Sequence, residues 1–169
     1  MSVLNTLIKI EGVVKKVLQF LVFVLFAFMS CLVLAQVFTR YFTNNSLTWS
    51  EELSRFTLVW LIYLASVVTY AEKGHIIVDV LIMNLRGTLA KAVRLVNCVC
   101  VLVFCVCIVL GAWEFVPTTA LQKSPANGIV MANIYIAIPV SMILMILLTL
   151  KHIIEVFVSG AQAETEGGA

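Results

Sequence analysis

The chain is predicted to be an all-α integral membrane protein with four transmembrane helices, and three observations predict it. Hydrophobic residues make up 62% of the sequence and charged residues only 12%, with a mean hydropathy of +1.09, well outside the soluble globular range. Four uncharged, apolar runs come close to or exceed the roughly 20 residues that a helix needs to cross a hydrocarbon core about 30 Å thick. Charge is confined to the segments between these runs.

The first run, Val17 to Thr39, holds 23 uncharged residues between Lys16 and Arg40, roughly 34 Å of helix, and spans with modest tilt. The second, Phe56 to Ala71, has only 16 residues between Arg55 and Glu72, too few alone, so its helix must recruit the charged octet Thr48 to Arg55. The third, Leu95 to Trp113, has 19 residues rich in Val, Cys and Leu and is closed by Glu114. The fourth, Ile129 to Leu150, follows a Pro125, Asn127, Gly128 turn cluster and stops at Lys151. The predicted spans are therefore about 17–39, 48–72, 95–115 and 129–150.

Two flanking segments have helical periodicity without enough hydrophobicity to cross. In 79–94, Ile82, Leu85, Leu89, Ala92 and Val93 share one side and Asn84, Thr88, Lys91 and Arg94 the other, which predicts an interfacial helix with Asp79 as its cap. A weaker version of the pattern near the N-terminus sets Val3, Leu4, Leu7, Ile8 and Val14 against Asn5, Lys9 and Lys16 and predicts a second one. The first run is too long for a signal-peptide core and is expected to be retained. Residues 1–158 thus read as one membrane domain, and the small, acidic stretch 159–169 as a disordered tail.

Counting Lys and Arg on alternate sides sets orientation. One side collects Lys9, Lys15, Lys16, Lys73, Arg86, Lys91, Arg94 and Lys151; the other collects Arg40, Arg55 and Lys123. The positive-inside rule puts both termini and the 79–94 helix in the cytoplasm and the octet outside.

Charges at the mouth of a span are costly, so the octet is the first candidate site. Thr48 with Glu51 fits a capping box, carboxylates suit a helix N-terminus, and Glu51 can pair with Arg55 one turn on, or Glu52 with Arg55. On that reading the octet only starts a helix. Arg55, however, falls roughly 10 Å along the helix from the interfacial anchor Trp49, where a charge prefers protein or water to lipid. Val59, Ile62, Ser66 and Thr69 continue the Arg55 side, while Trp49, Leu53, Phe56, Trp60, Tyr63 and Val67 form a bulky stripe. A small, hydroxyl-bearing face permits close helix contact, which predicts an interface helix. Glu114 lies level with Arg40 and Arg55, so an ion pair among these three is geometrically reasonable.

Other chemistry is poorly supported. Residues two apart on a helix point about 200° apart, so neither Cys98 with Cys100 nor Cys105 with Cys107 converges on an ion; they read as small packing residues. His75 and His152 sit at span ends, which disfavours a bis-histidine haem. No metal, cofactor or catalytic residue is expected, and nothing points to nucleic acid. Gln36, Asn97 and Asn133 are the amides within the spans and Pro139 the proline, too few polar groups for a solute site at the midplane.

Arg40-Tyr41, Trp49-x-Glu51-Glu52-x-x-Arg55, Val59-Trp60 and Gly74-His75-Ile76-x-Val78-Asp79, in this order across four spans, resemble the small membrane subunit of tripartite ATP-independent periplasmic (TRAP) transporters. The resemblance covers about residues 15–150. It implies a sodium-coupled importer of organic acids, of the sialic acid or C4-dicarboxylate class, in the bacterial inner membrane. In such a system a periplasmic binding protein delivers solute to a membrane pair, and the large subunit carries out an elevator motion. This chain would brace that subunit. Arg40, Tyr41, Trp49, Glu51, Glu52 and Arg55 would lie at or near the outer part of the contact, with docking of the binding protein a further role. Two other classes are a self-contained small exporter, which would want a carboxylate in mid-span of the first helix, and a membrane anchor for an enzyme complex, which would want intramembrane histidines. The chain has neither feature.

Overall fold

The computed structural model describes the backbone of residues 2–42, 47–72 and 88–166, and side chains over 12–42, 47–72, 89 and 92–154. The described elements are α1 (Ser2–Phe42), α2 (Thr48–Ala71), α3 (Thr88–Thr118), a 3₁₀ turn (Thr119–Leu121), a short α4 (Ala132–Tyr135) and α5 (Ala137–Glu166). Four stretches within them are long and apolar enough to cross a membrane: Gly12–Phe42, Thr48–Ala71, Ala92–Leu121 and Ala132–Ile154. The predicted fold class holds.

The element boundaries differ from the sequence reading in instructive ways. Residues 2–16 are the first turns of the same 41-residue helix that spans, rather than a separate interfacial element. At about 1.5 Å per residue α1 is roughly 61 Å long, far more than a hydrocarbon core needs. Residues 88–94 likewise continue without interruption into α3, while Asp79 and the rest of the expected interfacial helix lie outside the described residues. Helix α3 also runs past Glu114 to Thr118. Pro117, which lacks an N–H, sits in its last turn, and the chain then tightens into the 3₁₀ turn.

The fourth span begins at Ala132 rather than 129, because Val130 is drawn into an isolated antiparallel bridge with Lys123. The interruption at Ile136 lies three residues before Pro139, which cannot donate to the carbonyl of Tyr135. Helix α5 continues to Glu166, where the sequence predicts a disordered tail from 159. Ala161, Gln162, Ala163 and Glu164 are good helix formers and extend an established helix at little cost.

The spans do not close into a bundle. Among the described residues α1 packs on α2, α2 on α5 and α5 on α3, with no backbone contact between α1 and α3 or between α1 and α5. The spatial order is an open row, α1–α2–α5–α3. An up-and-down bundle would instead bring its edge helices back together. The apolar core is correspondingly small: Leu18, Leu64 and Val67 are buried, with Val22, Leu25, Trp60, Val68, Leu144 and Leu148 packed on them. Large side chains such as Phe20, Phe23, Phe26 and Leu34 on α1 face outward, as they can in lipid.

Small residues line the α3 and α5 faces. Cys98, Cys105 and Ala112, seven apart, are the buried residues of α3 among those described, and Ala137 and Ser141 are fully buried on α5. Cys100 and Cys107 are exposed, so the two cysteine pairs divide between faces as a helical period of 3.6 requires.

Candidate functional site

The candidate site is the end of the row where α2 begins. Leu47 occupies the N-cap position of α2 and contributes no side-chain cap, so the predicted capping box does not form: Thr48 is already the first helical residue. Ser50 and Ser54 turn inward and are buried, each hydroxyl donating to the carbonyl three residues earlier, Leu47 O and Glu51 O, at 2.9 Å. Gln36 Nε2 of α1 donates to Ser54 Oγ at 3.3 Å. This face of α2 holds α1.

Glu51 and Arg55 point outward. Their side chains form an ion pair one helical turn apart and are 50% and 71% exposed. Arg55 is therefore satisfied within its own helix, and the ion pair expected with Glu114 does not form. Glu114 is exposed and makes no ion pair among the described residues. Four residues on one helix bring partners together without tertiary help, and this contact wins. Arg40 and Tyr41 are exposed at the end of α1, Tyr41 at 81%. Val59 and Ser66 are half-buried, and Ser66 Oγ donates to Tyr63 O at 2.7 Å, so its hydroxyl is committed to its own helix.

Glu52 behaves differently from its neighbours. Its carboxylate is held by the connection between α3 and α4. Ser124 Oγ donates to Oε2, the N–H of Ala126 lies 3.1 and 3.2 Å from the two oxygens, and the N–H of Asn127 is 3.1 Å from Oε2. The Asn127 amide adds a longer bond of 3.4 Å and donates to Trp49 O at 2.8 Å. Successive backbone N–H groups in a turn form an anion-binding concavity, and here the occupant is a carboxylate of the same chain. Hydrogen bonds to a charged acceptor are shorter and stronger than those between neutral groups.

The loop is built to receive it. Lys123 bridges to Val130, Ser124 N donates to Ile129 O and Gly128 N to Ser124 O, each at 2.9 Å, and Met131 N donates to Gln122 O at 2.9 Å. Gly128 adopts φ of 65°, a conformation that a residue with a Cβ rarely takes. Ser124 is buried, whereas Leu121, the last residue of the 3₁₀ turn, is 93% exposed.

Polar contacts join helices at two further places. At the opposite end of α1 and α2, Lys15 Nζ lies 3.3 Å from Glu72 Oε1 and Gln19 Nε2 donates to the same oxygen at 2.7 Å. Within the seam, Thr149 Oγ1 of α5 is 2.8 Å from Tyr70 OH of α2. Neither contact was legible in the sequence, since the partners are separated by 53 to 79 positions. The turn cluster at 125–128 was visible, but its carboxylate lies more than 70 residues away. Asp79 and His75 lie outside the described residues, and among those described no three His, Cys, Asp or Glu gather as a metal site.

Sequence comparison adds relatives. A family profile described as the DctQ component of tripartite ATP-independent periplasmic transporters matches residues 29–159. Two Haemophilus influenzae proteins, each provisionally named a TRAP transporter small permease protein, are similar. One is 32% identical over 79% of this chain and 81% of its own length, the other 27% identical over 83% and 88%. The C4-dicarboxylate TRAP transporter small permease protein DctQ of Vibrio cholerae is 30% identical over 57% of this chain and 42% of its own.

Proposed function

The chain belongs to the DctQ family of TRAP transporter small permease components, and from this premise we propose that it braces a large membrane subunit during uptake of an organic acid. Family membership makes it a transport component rather than an enzyme, and implies a large membrane subunit and a periplasmic binding protein as companions.

The chain lies in the bacterial inner membrane with both termini cytoplasmic, so that the α2 entrance and the 122–131 loop face the periplasm. The outward face of α2, running from Glu51 and Arg55 through Val59 and Ser66, meets the static scaffold of a sodium-coupled, elevator-type partner, with Arg40, Tyr41 and Trp49 at its outer margin. The solute is a carboxylate, and a C4-dicarboxylate is the class carried in the name of the Vibrio cholerae relative. Driving such an anion inward against the membrane potential costs about 2.3 kcal/mol per charge per 100 mV, and the coupled cation sites that offset this belong to the partner.

One observation carries this reading: a charged pair stands exposed in the first two turns of a span, at 71% and 50%, where lipid is a poor neighbour. Protein or water at that surface satisfies it. The test is co-expression with a large TRAP permease subunit from the same source and affinity purification through this chain. The proposal expects a stable pair, with uptake in vesicles requiring both chains and the binding protein. Uptake by this chain alone would overturn it.

A further inference from the structure

Glu52, expected at or near the outer part of a partner contact, has its carboxylate held by Ser124, Ala126 and Asn127 of the connection between α3 and α4. Its place in the row gives this a consequence. The pairs α1–α2 and α3–α5 meet along the seam between α2 and α5, to which α4 adds a short contact. Polar bonds join the two pairs in two places: Glu52 with Ser124, Ala126 and Asn127 at one end, and Tyr70 with Thr149 near the other. These lie 18 positions apart on α2, roughly 27 Å. The packing between them is apolar, through Leu64, Val67, Leu144 and Leu148. Lipid is as apolar as those side chains, so such packing resists sliding and rotation only through shape.

Resting on the brace reading above, we propose that Glu52 is a positioning residue: by locking into the 124–127 loop it fixes the rotation of α2 and so aims the Glu51–Arg55 pair at the large subunit. Along a helix, positions 51 and 55 lie roughly 100° and 60° round from position 52, both on the same side. With Glu52 held by several donors, that neighbouring face cannot turn toward lipid without breaking them. The contribution of Glu52 is mechanical, and a covalent link of similar length can replace it.

The test uses the full chain with its five cysteines changed to alanine, spin labels at Phe42 and Trp113, and co-purification of the large subunit as a second readout. Both labelled residues are exposed, at 75% and 80%, and sit at the loop end of α1 and α3. Glu52→Gln is expected to broaden the distance distribution between the labels and to lower the yield of co-purified subunit about threefold to tenfold, as befits the loss of charge-assisted bonds. Glu52→Asp keeps the charge but shortens the reach, and is expected to behave like Glu52→Gln. In unlabelled chains, joining Glu52→Cys to Ser124→Cys with a short bifunctional thiol reagent should restore the yield.

Unchanged distances with a lost yield, a wild-type phenotype for Glu52→Asp, or no rescue by the link would each overturn the proposal in favour of a direct charge contact. A wild-type phenotype for Glu52→Gln would overturn it outright. If the unaltered chain holds no large subunit, the brace reading fails instead, and the label distances still judge the lock.

Discussion

Tyr70 of α2 and Thr149 of α5 hold their hydroxyls 2.8 Å apart, both residues being buried at 3% and 0% exposure. Thr149 Oγ1 donates toward Tyr70 OH, and Met145 O, also 2.8 Å away, offers its proton a second acceptor. Tyr70→Phe therefore deletes the interhelical bond without stranding the Thr149 donor. Interhelical hydrogen bonds in membranes average about 0.6 kcal/mol, and a loss of that size is expected in the unfolding free energy measured in mixed detergent. A loss of several kcal/mol would mean that the tyrosine does more than this contact shows.

The α3–α5 packing depends on small side chains. Cys105 is fully buried, and Cys105→Leu forces extra volume between helices that already touch, at an expected cost of about 1–3 kcal/mol. Cys105→Ala, and Cys107→Leu on the exposed face, should be near neutral in the same thermal unfolding assay. Equal effects at 105 and 107 would contradict the assignment of faces.

Glu51 and Arg55 permit a charge test of the outward face. An exposed pair one turn apart contributes only about 0.3–0.5 kcal/mol, so Arg55→Glu should barely alter the stability of the isolated chain. Retention of the large subunit on an affinity column should fall sharply. The double exchange Glu51→Arg with Arg55→Glu rebuilds a pair along the helix but inverts the face, and retention should stay low. Full recovery by the exchange would show that only the intrahelical pair matters.

Gly128 stands at φ of 65° with open space where a Cβ would be. Gly128→Ala thus meets no clash but carries backbone strain of about 1–2 kcal/mol. The strain falls on the loop that holds Glu52. Faster proteolysis of the 122–131 connection, with the helical circular dichroism unchanged, is the expected outcome.

The fold class was legible because hydropathy reads span number directly: backbone groups in lipid must be satisfied within the helix, so long apolar runs have one outcome. The division of the cysteines between two faces was legible for an equally local reason, the 3.6-residue period. The Glu51–Arg55 pair was one of two spacings open in the sequence, and the structure selects the four-apart form. The hold on Glu52 was hidden because its loop partners lie more than 70 residues away, and charge type says nothing about which loop folds back. The Leu47 cap was hidden for another reason: Thr48 offers a suitable side chain, but the helix begins one residue too early to use it. The open row could not be read at all, since amphipathicity is silent where both faces of a helix are greasy.

A wall one helix thick has no interior. Among the described residues, nothing on either side of α2 and α5 encloses a lumen. The same thinness gives the wall two broad sides rather than an inside and an outside. It resists bending chiefly through its seams, as a fence does through its rails.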